Sequence, residues 1–453
     1  MNWLKWLCPG INVKRWIMLL VFGLVFVIVG TICLLSNQFQ DLFSNVLDLA
    51  NNILARDFKP EVFIPLGVGF IFSGILFNLL GIRGLSYSLS SVFKAGYEQK
   101  FIDVLFAKNR LHNGAAVTVI GGGTGLSVLL RGIKEVTGNC TAVVAVSDDG
   151  GSSGRLRNEL GIIPPGDLRS CITALADTEP LMSKLMQYRF AEGTSLSGHS
   201  FGNLFIAAMA DIVGDMEKGL NATSKVLKVR GNVTPTTLTS VSLEAEMTDG
   251  SIVHGESNIS HAGKVIKGIR LIPENAKATQ SAVKAIMDAD MLVLGPGSLY
   301  SSIITNLLIP GIKEAILKSS AVKVYICNVM TQPSETDGFS AYDHVKTLCD
   351  YAGNTFIDFV VINNKKIGSD QLAQYAKQGA FPVDSASEKI RAMGIKVVEA
   401  DLISEENLVR HDPEQLSKTL IALMYRLNLS GKGIKALDYY FVKNIFRDSK
   451  KVV

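Results

Sequence analysis

The segment AVTVIGGGTGLSV, residues 116–128, indicates the architecture of this chain. Its short apolar and β-branched run is typical of a buried parallel strand, and the apolar residues that follow predict a helix over 126–136. Glycines between a strand and a helix let backbone N–H groups approach a phosphate, and the helix N-terminus favours an anion. The candidate phosphate contacts in this loop are Gly122, Gly123, Thr124 and Gly125.

The glycine loop has an alternative interpretation as a tight strand–helix turn that binds nothing. It departs from the dinucleotide fingerprint G-x-G-x-x-G, because Leu126 stands at the sixth position. It also lacks the Gly-Lys-Ser/Thr ending of a P-loop. A plain dinucleotide oxidoreductase is therefore disfavoured, whereas a nucleotide or sugar-phosphate site stays open.

Further strand-like runs alternate with helical stretches along the chain. This order predicts an α/β fold, a Rossmann-like doubly wound, mostly parallel sheet. Residues 237–247 and 251–255 have the pattern of an inserted antiparallel hairpin. The predicted sheet strands are Ala116–Ile120, Thr141–Val146, Met291–Leu294, Val322–Cys327, Phe359–Ile362 and Lys396–Glu399.

The loop SDDGGSSGRLR, residues 147–157, follows the second predicted strand. Strand carboxyl ends line the ligand crevice of an open α/β sheet. Two adjacent carboxylates there suit ribose hydroxyls or a divalent ion, and arginines suit a diphosphate. A solvated surface loop is the alternative. The candidates in this loop are Asp148, Asp149, Ser152 and Arg155.

Other loops carry polar groups at predicted strand or helix ends. Asp167 is expected to cap the helix that follows, which does not exclude that it also faces the crevice. His199 and Asn203 lie four residues apart near a glycine-flanked helix start. The segment GPGS, residues 295–298, forms a second strand–glycine loop–helix unit, and a turn alone is its alternative. The remaining candidates are Gly297 and Ser298 for phosphate, Asn328 for a base or ribose, Tyr375 for stacking and Arg410 for an anion.

The first 82 residues differ in composition from the rest. Uncharged runs at 16–35 and 62–82 are long enough to cross a bilayer, which predicts a membrane anchor of two transmembrane helices. Gly69 and Ser73 offer a small-residue packing face between them. Basic residues flank both outer ends, so the positive-inside rule predicts a two-pass protein of the cell membrane with its main domain, 116–453, in the cytoplasm. Residues 83–115 form a connector.

Composition excludes several protein classes. The chain has 453 residues and a net charge of +4 from 45 basic and 41 acidic residues, so it shows no general nucleic-acid footprint. Its six cysteines form no C-x-x-C pair, which excludes a disulfide-stapled scaffold and a cysteine zinc ribbon.

At these motifs the sequence resembles the gluconeogenesis-factor (YvcK-type) branch of the family that includes 2-phospho-L-lactate transferase, the CofD-like proteins. The resemblance covers roughly residues 115–425. The matching blocks are Gly121–Val128, Asp148–Arg157, Pro164–Arg169, His199–Ile206, Gly295–Tyr300 and Asn328–Asp337.

The resemblance implies a Rossmann-like domain whose crevice binds a UDP-sugar, with a link to cell shape and growth on gluconeogenic carbon. It implies that Gly122, Gly123 and Thr124 meet phosphate, that Asp148 or Asp149 meets the sugar or a metal, and that the crevice is also lined by His199, Asn203, Gly297 and Ser298. The loop 147–157 resembles the gluconeogenesis-factor branch rather than the transferase branch.

Two functions follow as expectations. The first is a membrane-tethered UDP-sugar-binding regulator that requires no cofactor and reports to a cell-wall synthesis protein or to a regulatory protein. The second is a magnesium-dependent transferase of a phospholactyl-type group, in which Asp148 and Asp149 hold the ion. Metal-dependent turnover distinguishes them, and the oligomeric state stays open.

Overall fold

The computed structural model describes residues 13–34, 63–92, 114–177, 180–193, 195–404, 409–427 and 429. The chain divides into two compact units, residues 1–109 and residues 110–453. Most of the predicted connector, at 93–113, lies outside the described residues, so the predicted boundaries at 82 and 115 stay predictions.

The N-terminal unit contains two long apolar helices, α1 (Val13–Leu34) and α2 (Phe63–Val92). Both are long and apolar enough to cross a membrane by length and composition alone, a property that some buried helices and signal sequences share. Helix α2 continues past the predicted end of the second span at Ile82, because hydropathy marks the stretch that suits a bilayer and not the end of the backbone hydrogen bonds.

Helices α1 and α2 pack together through glycines. A Cβ atom at Gly23 would lie 2.9 Å from the carbonyl oxygen of Gly74, and one at Gly30 would lie 2.6 Å from that of Gly67. These glycines let the two backbones approach closely. The predicted packing face at Gly69 is wrong, since a Cβ there would have no atom within 4 Å.

The C-terminal unit is built on one seven-stranded sheet in which every paired strand is parallel. Its strands are β1 (Val117–Gly121), β2 (Cys140–Val144), β3 (Asn232–Pro235), β7 (Met291–Leu294), β8 (Val322–Ile326), β9 (Phe359–Asn363) and β10 (Lys396–Ala400). They lie side by side in the order β10-β9-β8-β7-β1-β2-β3. The predicted α/β class and parallel sheet are confirmed.

The order in which strands are added to the sheet reverses once, although all strands stay parallel. From β1 the chain proceeds to β2 and β3 on one side, and then crosses to β7, β8, β9 and β10 on the other. The reversal therefore lies between β1 and β7, which are neighbours in the sheet. In open α/β sheets, ligands bind outside the strand carboxyl ends at such a point.

Helices connect the strands and cover the sheet. The fully buried Leu129, Ile133 and Ile172 lie on such helices, and Val119 and Val293 on the strands beneath belong to the same core. The helices are α3 (Gly123–Ile133), α4 (Gly151–Leu160), α5 (Gly166–Leu175), α6 (Pro180–Gln187), α7 (Phe201–Val213), α8 (Met216–Val226), α9 (Glu256–Ser260), α10 (Gln280–Met287), a π-helical segment (Leu299–Ile304) continued by α11 (Thr305–Leu307), α12 (Ile312–Lys318), α13 (Ala341–Ala352), α14 (Ser369–Ala376), α15 (Ser387–Ala392) and α16 (Pro413–Arg426).

A small antiparallel sheet is inserted between β3 and β7. It contains β4 (Ser242–Met247), β5 (Ile252–His254) and β6 (Ile266–Ile272) in the order β5-β4-β6. The predicted hairpin is confirmed as the β4–β5 pair. The sequence patterns did not predict β3 or β6, because β3 is a short run that ends in Pro235 and both strands are defined by pairing across the sheet.

Candidate functional site

The two glycine loops meet at the reversal between β1 and β7. A Cβ atom at Gly125 would lie 2.6 Å from the carbonyl oxygen of Pro296, and one at Gly297 would lie 3.5 Å from that of Gly122. The close approach therefore requires glycine at position 125, whereas the distance at Gly297 is an ordinary van der Waals contact. Gly123 and Gly295 also have φ values of +68° and +79°, which favour glycine.

A cavity of about 580 Å³ opens beside these loops, a volume typical of small-molecule sites. It is bounded by the carboxyl ends of β1, β7 and β8, by α14 and by the segment before α16. The described residues that line it are Thr124, Gly125, Val128, Ser260, Pro296, Gly297, Ser298, Asn328, Val329, Met330, Thr331, Gln332, Pro333, Tyr375, Gln378, Ala380, Val409, Arg410 and His411.

One end of the cavity is apolar. Val329, Met330, Ala380 and Val409 are buried in a small hydrophobic cluster separate from the main core, and Tyr375 packs against this cluster. The Tyr375 hydroxyl accepts a hydrogen bond from the backbone N–H of Val409 at 3.1 Å. The ring is thereby held in place, which suits a planar base.

Another part of the cavity lining is polar, and its side chains are hydrogen-bonded to one another. The Gln332 side chain donates to the Ser298 hydroxyl at 2.8 Å, and its oxygen accepts from the Asn328 amide at 3.2 Å. This chain of hydrogen bonds links the loop after β7 to the loop after β8. It orients two groups that could contact phosphate or ribose oxygens.

The short segment 409–412 positions Arg410 at the cavity. The Nε2 atom of His411 lies 3.2 Å from the carbonyl oxygen of Cys327, and the Asp412 backbone N–H donates to that of Leu402 at 2.7 Å. Burial lowers the pKa of His411 to about 4, although the Cys327 carbonyl opposes this shift. The ring is therefore neutral near pH 7, and we assign its Nε2–H as the donor to Cys327. Asp412 also caps α16, because its side chain accepts from the backbone N–H groups of Glu414 and Gln415.

Acidic groups lie on the β2 side of the first glycine loop. Asp167 accepts a hydrogen bond from the Gly123 backbone N–H. Burial, and next the negative charge of Asp148, raise the pKa of Asp167 to about 7 against that hydrogen bond. The predicted N-cap role is wrong, because α5 begins at Gly166 with Pro165 as its cap and Asp167 lies within the first turn.

Glu256 on α9 belongs to the same acidic region. Its carboxylate accepts from the Ser147 hydroxyl at 2.8 Å, which connects the small sheet to the loop after β2. Burial raises the pKa of Glu256 to about 8, and the charges of Asp167 and Asp148 add to this against the Ser147 hydrogen bond. We infer that Glu256 is largely protonated at pH 7.

Asp148 and Asp149 order the loop after β2. Asp148 accepts from the Gly150 backbone N–H at 2.9 Å, and Asp149 accepts from the Ser257 backbone N–H at 2.9 Å. Neither is among the lining residues of the cavity. In the part of the chain that the structure describes, no three His, Cys, Asp or Glu residues are placed to share a metal ion. A magnesium ion here would therefore need ligand phosphates to complete its coordination.

Three predicted residues, Ser152, His199 and Asn203, form a buried network between α4 and α7, and the half-buried Arg155 lies beside it. The Ser152 hydroxyl is 3.1 Å from His199 Nδ1 and accepts from the Asn203 amide at 3.1 Å. Arg155 donates to the Ser197 carbonyl at 2.6 Å. Burial, and next the charge of Arg155, lower the pKa of His199. Ser152, His199 and Asn203 are each at most 5% exposed, so the network joins two helices.

The structure thus divides the predicted site residues into two groups. The ones that line the cavity are Thr124, Gly125, Gly297, Ser298, Asn328, Tyr375 and Arg410. The ones that do not line it are Gly122, Gly123, Asp148, Asp149, Ser152, Arg155, Asp167, His199 and Asn203. Ligand contact by either group stays a prediction.

Sequence reasoning did not single out Gln332, Val409 or Glu256 as site residues. Gln332 stood in the loop after β8, four residues beyond Asn328, and that spacing was the available signal. Val409 and Glu256 gave no signal, since only the chain's folding brings them to the site.

Comparison with known proteins gives the family. The family model described as 2-phospho-L-lactate transferase CofD matches residues 117–403. The gluconeogenesis factor of Bacillus subtilis is 48% identical over 68% of this chain and 98% of its own length. A Nostoc sp. relative, whose name also contains the words gluconeogenesis factor, is 44% identical over 93% of this chain and 92% of its own length.

A solved structure supports the same relationship. A protein of Bacillus halodurans is 48% identical, with a TM-score of 0.66, over 68% of this chain and 99% of that chain. The family match covers more than half of the present chain, and the fold and the sequence motifs agree with it. The chain therefore belongs to the CofD-like family, in its gluconeogenesis-factor branch.

Proposed function

We propose that this protein is a membrane-tethered regulator that binds a UDP-sugar, such as UDP-N-acetylglucosamine, and controls cell shape and cell-wall metabolism during gluconeogenic growth. The observation that carries the proposal is the cavity itself. It combines two glycine loops, a held aromatic ring in an apolar cluster, and an exposed arginine within about 580 Å³.

These groups match the parts of a nucleotide sugar. The loops at Gly125 and Gly297 offer backbone N–H groups for a diphosphate. The apolar cluster with Tyr375 suits the base, and the guanidinium of Arg410 suits a phosphate oxygen. Gln332 and Asn328 supply neutral hydrogen-bonding groups, and Gln332 donates to Ser298 in the second glycine loop.

The contacts around the cavity favour binding over turnover. Among the described lining residues, no nucleophilic side chain is hydrogen-bonded to a base, and His411 is bonded to the Cys327 carbonyl. The pair Ser152 and His199 lies in the buried network between α4 and α7, and neither residue lines the cavity. A binding protein needs none of these activated groups.

The membrane tether is the second part of the proposal. Two helices of membrane-spanning length precede the binding unit. Basic residues flank the two outer ends of this pair in the sequence, and the positive-inside rule assigns such ends to the cytoplasm. With both ends of the pair in the cytoplasm, ligand occupancy would be reported at the membrane. A partner in wall synthesis would receive that signal.

A magnesium-dependent transferase of a phospholactyl-type group is the second candidate. The family model carries the transferase description, and Asp148, Asp167 and Glu256 form an acidic region beside the first glycine loop. One or two carboxylates together with ligand phosphates are a common way to hold magnesium. Asp148 and Asp149 are the proposed ligands in that case.

Calorimetric titration of the full-length protein in detergent micelles tests the proposal. UDP-N-acetylglucosamine is titrated with and without magnesium, and GTP and NAD serve as controls. Binding of the UDP-sugar without turnover, weakened at least about tenfold in Arg410→Met, supports the regulator; the factor corresponds to one lost charge-assisted contact. Arg131→Met, which removes an exposed arginine on α3, is the matched control.

Two results would change the conclusion. Binding of GTP or NAD in place of the UDP-sugar would reject the proposed ligand. Magnesium-dependent turnover of a phosphorylated acid, lost in Asp148→Asn/Asp149→Asn, would establish the transferase.

A further inference from the structure

A second cavity adjoins the first at the carboxyl ends of β8 and β9. It measures about 310 Å³, which is at the lower end of small-molecule sites. Asn328 and Val329 line both cavities and therefore form their shared wall. A ligand that is bound at the glycine loops and extends to Asn328 therefore reaches the boundary of the second cavity.

The chemistry of the second cavity differs from that of the first. Its floor is apolar, with Ile362, Leu372 and Val383, and its rim carries the amides and ammonium groups of the segment 363–366. The described residues that line it include no aromatic side chain, whereas Tyr375 lines the first cavity. A base therefore finds its stacking surface only in the first cavity.

The rim groups offer donors and acceptors toward hydroxyls. The Asn363 side chain is held in place, because its amide donates to the Lys365 carbonyl at 2.9 Å and its oxygen accepts from the Leu402 N–H at 3.2 Å. The Lys365 ammonium pairs with Asp401 at 3.3 Å, and Asp401 itself does not line the cavity. Lys366 is exposed and forms no ion pair with any described residue.

We propose that the second cavity is the sugar compartment of the nucleotide-sugar site. An apolar floor fits the C–H face of a hexose, and the lysines and Asn328 hydrogen-bond its hydroxyls. The diphosphate lies on the glycine loops and the base lies against Tyr375, so the sugar extends past Asn328 into the second cavity. This assignment rests on the proposed function, because it requires that the first cavity bind the nucleoside diphosphate.

The test compares UDP with UDP-N-acetylglucosamine on the full-length protein in detergent micelles, by calorimetry. Leu372→Trp fills the second cavity and Lys366→Met removes a rim cation, while neither residue lines the first cavity. We expect each variant to weaken UDP-N-acetylglucosamine binding about tenfold or more and to leave UDP binding within about twofold. Leu317→Trp on α12 and Lys377→Met after α14 are matched controls at exposed positions.

Each other result overturns the assignment in a recognisable way. Equal weakening of UDP and the UDP-sugar, with pyrophosphate unaffected, would place the nucleoside in the second cavity. Unchanged binding of both ligands by both variants would mean that the cavity holds no part of the ligand. Failure of the unaltered protein to bind UDP or the UDP-sugar would reject the proposed function, and with it this compartment.

Discussion

Replacement of Glu256 by glutamine should remove a pH-dependent destabilisation of the binding unit. The Ser147 hydroxyl donates to the Glu256 carboxylate, and a glutamine oxygen at the same place can accept that hydrogen bond. The substitution therefore keeps the contact between α9 and the loop after β2. It changes only whether the group can ionise.

The magnitude follows from the pKa of the carboxyl in the two states. The pKa is about 8 in the folded protein and 4.5 for the unperturbed group. Because the folded state holds the proton more tightly, stability is greatest below the unfolded pKa and falls as pH rises through the window from 4.5 to about 8. Between roughly pH 5 and pH 7 the free energy of unfolding should fall by about 2–3 kcal/mol, since each pH unit inside the window costs at most about 1.4 kcal/mol.

Thermal unfolding at several pH values measures this loss. At roughly 2 °C per kcal/mol, the melting temperature of Glu256→Gln relative to the unaltered protein should rise by ~5 °C between pH 5 and pH 7. Asp167, whose pKa is about 7, contributes a slope of the same sign that remains in the variant. Glu274→Gln, at an exposed position on the loop after β6, is the control and should show no such trend.

The reasoning is refuted if Glu256→Gln and the unaltered protein respond equally to pH. That result would mean that Glu256 is ionised in the folded state near pH 7. A loss of stability at every pH would instead show that the Ser147 hydrogen bond needs the carboxylate itself.

Three further predictions concern the glycine loops, the buried network and the domain boundary. Gly125→Ala places a Cβ atom 2.6 Å from the Pro296 carbonyl oxygen and should push the two loops apart, which we expect to cost ~1–3 kcal/mol of stability. Calorimetry should show at least about tenfold weaker UDP-sugar binding, and unchanged affinity would argue against a shared phosphate site. Ser152→Ala leaves the Asn203 amide without its acceptor and should lower the free energy of unfolding by ~1–3 kcal/mol without changing the affinity for the UDP-sugar. A loss of UDP-sugar binding without a loss of stability would instead make Ser152 a ligand contact. Residues 110–453 should fold without the two helices, since nearly the whole of a solved homologous chain, 99% of its length, matches only 68% of this chain. Circular dichroism of residues 110–453 tests this, and an unfolded spectrum would contradict it.

The strands with continuous β-branched runs were predictable because such runs suit strands buried on both faces. Met291–Leu294 was predicted with its observed bounds, and Val117–Gly121 to within one residue at each end. β3 lacks this pattern, and its place depends on hydrogen bonds to β2. The packing of the two N-terminal helices was predicted on the wrong face, because several small residues lie along α2 and only the partner helix selects among them.

The candidate site shows the same division. Local pattern alone identified both glycine loops, the polar residues after β2 and β8, and Arg410, because a strand followed by glycines or polar groups leaves a local signature. Which of these residues line one cavity depends on the order of strands in the sheet. The reversal between β1 and β7 brings together Gly125 and Pro296, which are far apart in the chain, and it leaves His199 and Asn203 buried between helices. Contacts between distant segments, and the burial that raises the pKa of Glu256, arise only when the chain is folded, because they depend on which surfaces meet and not on any residue's neighbours in sequence.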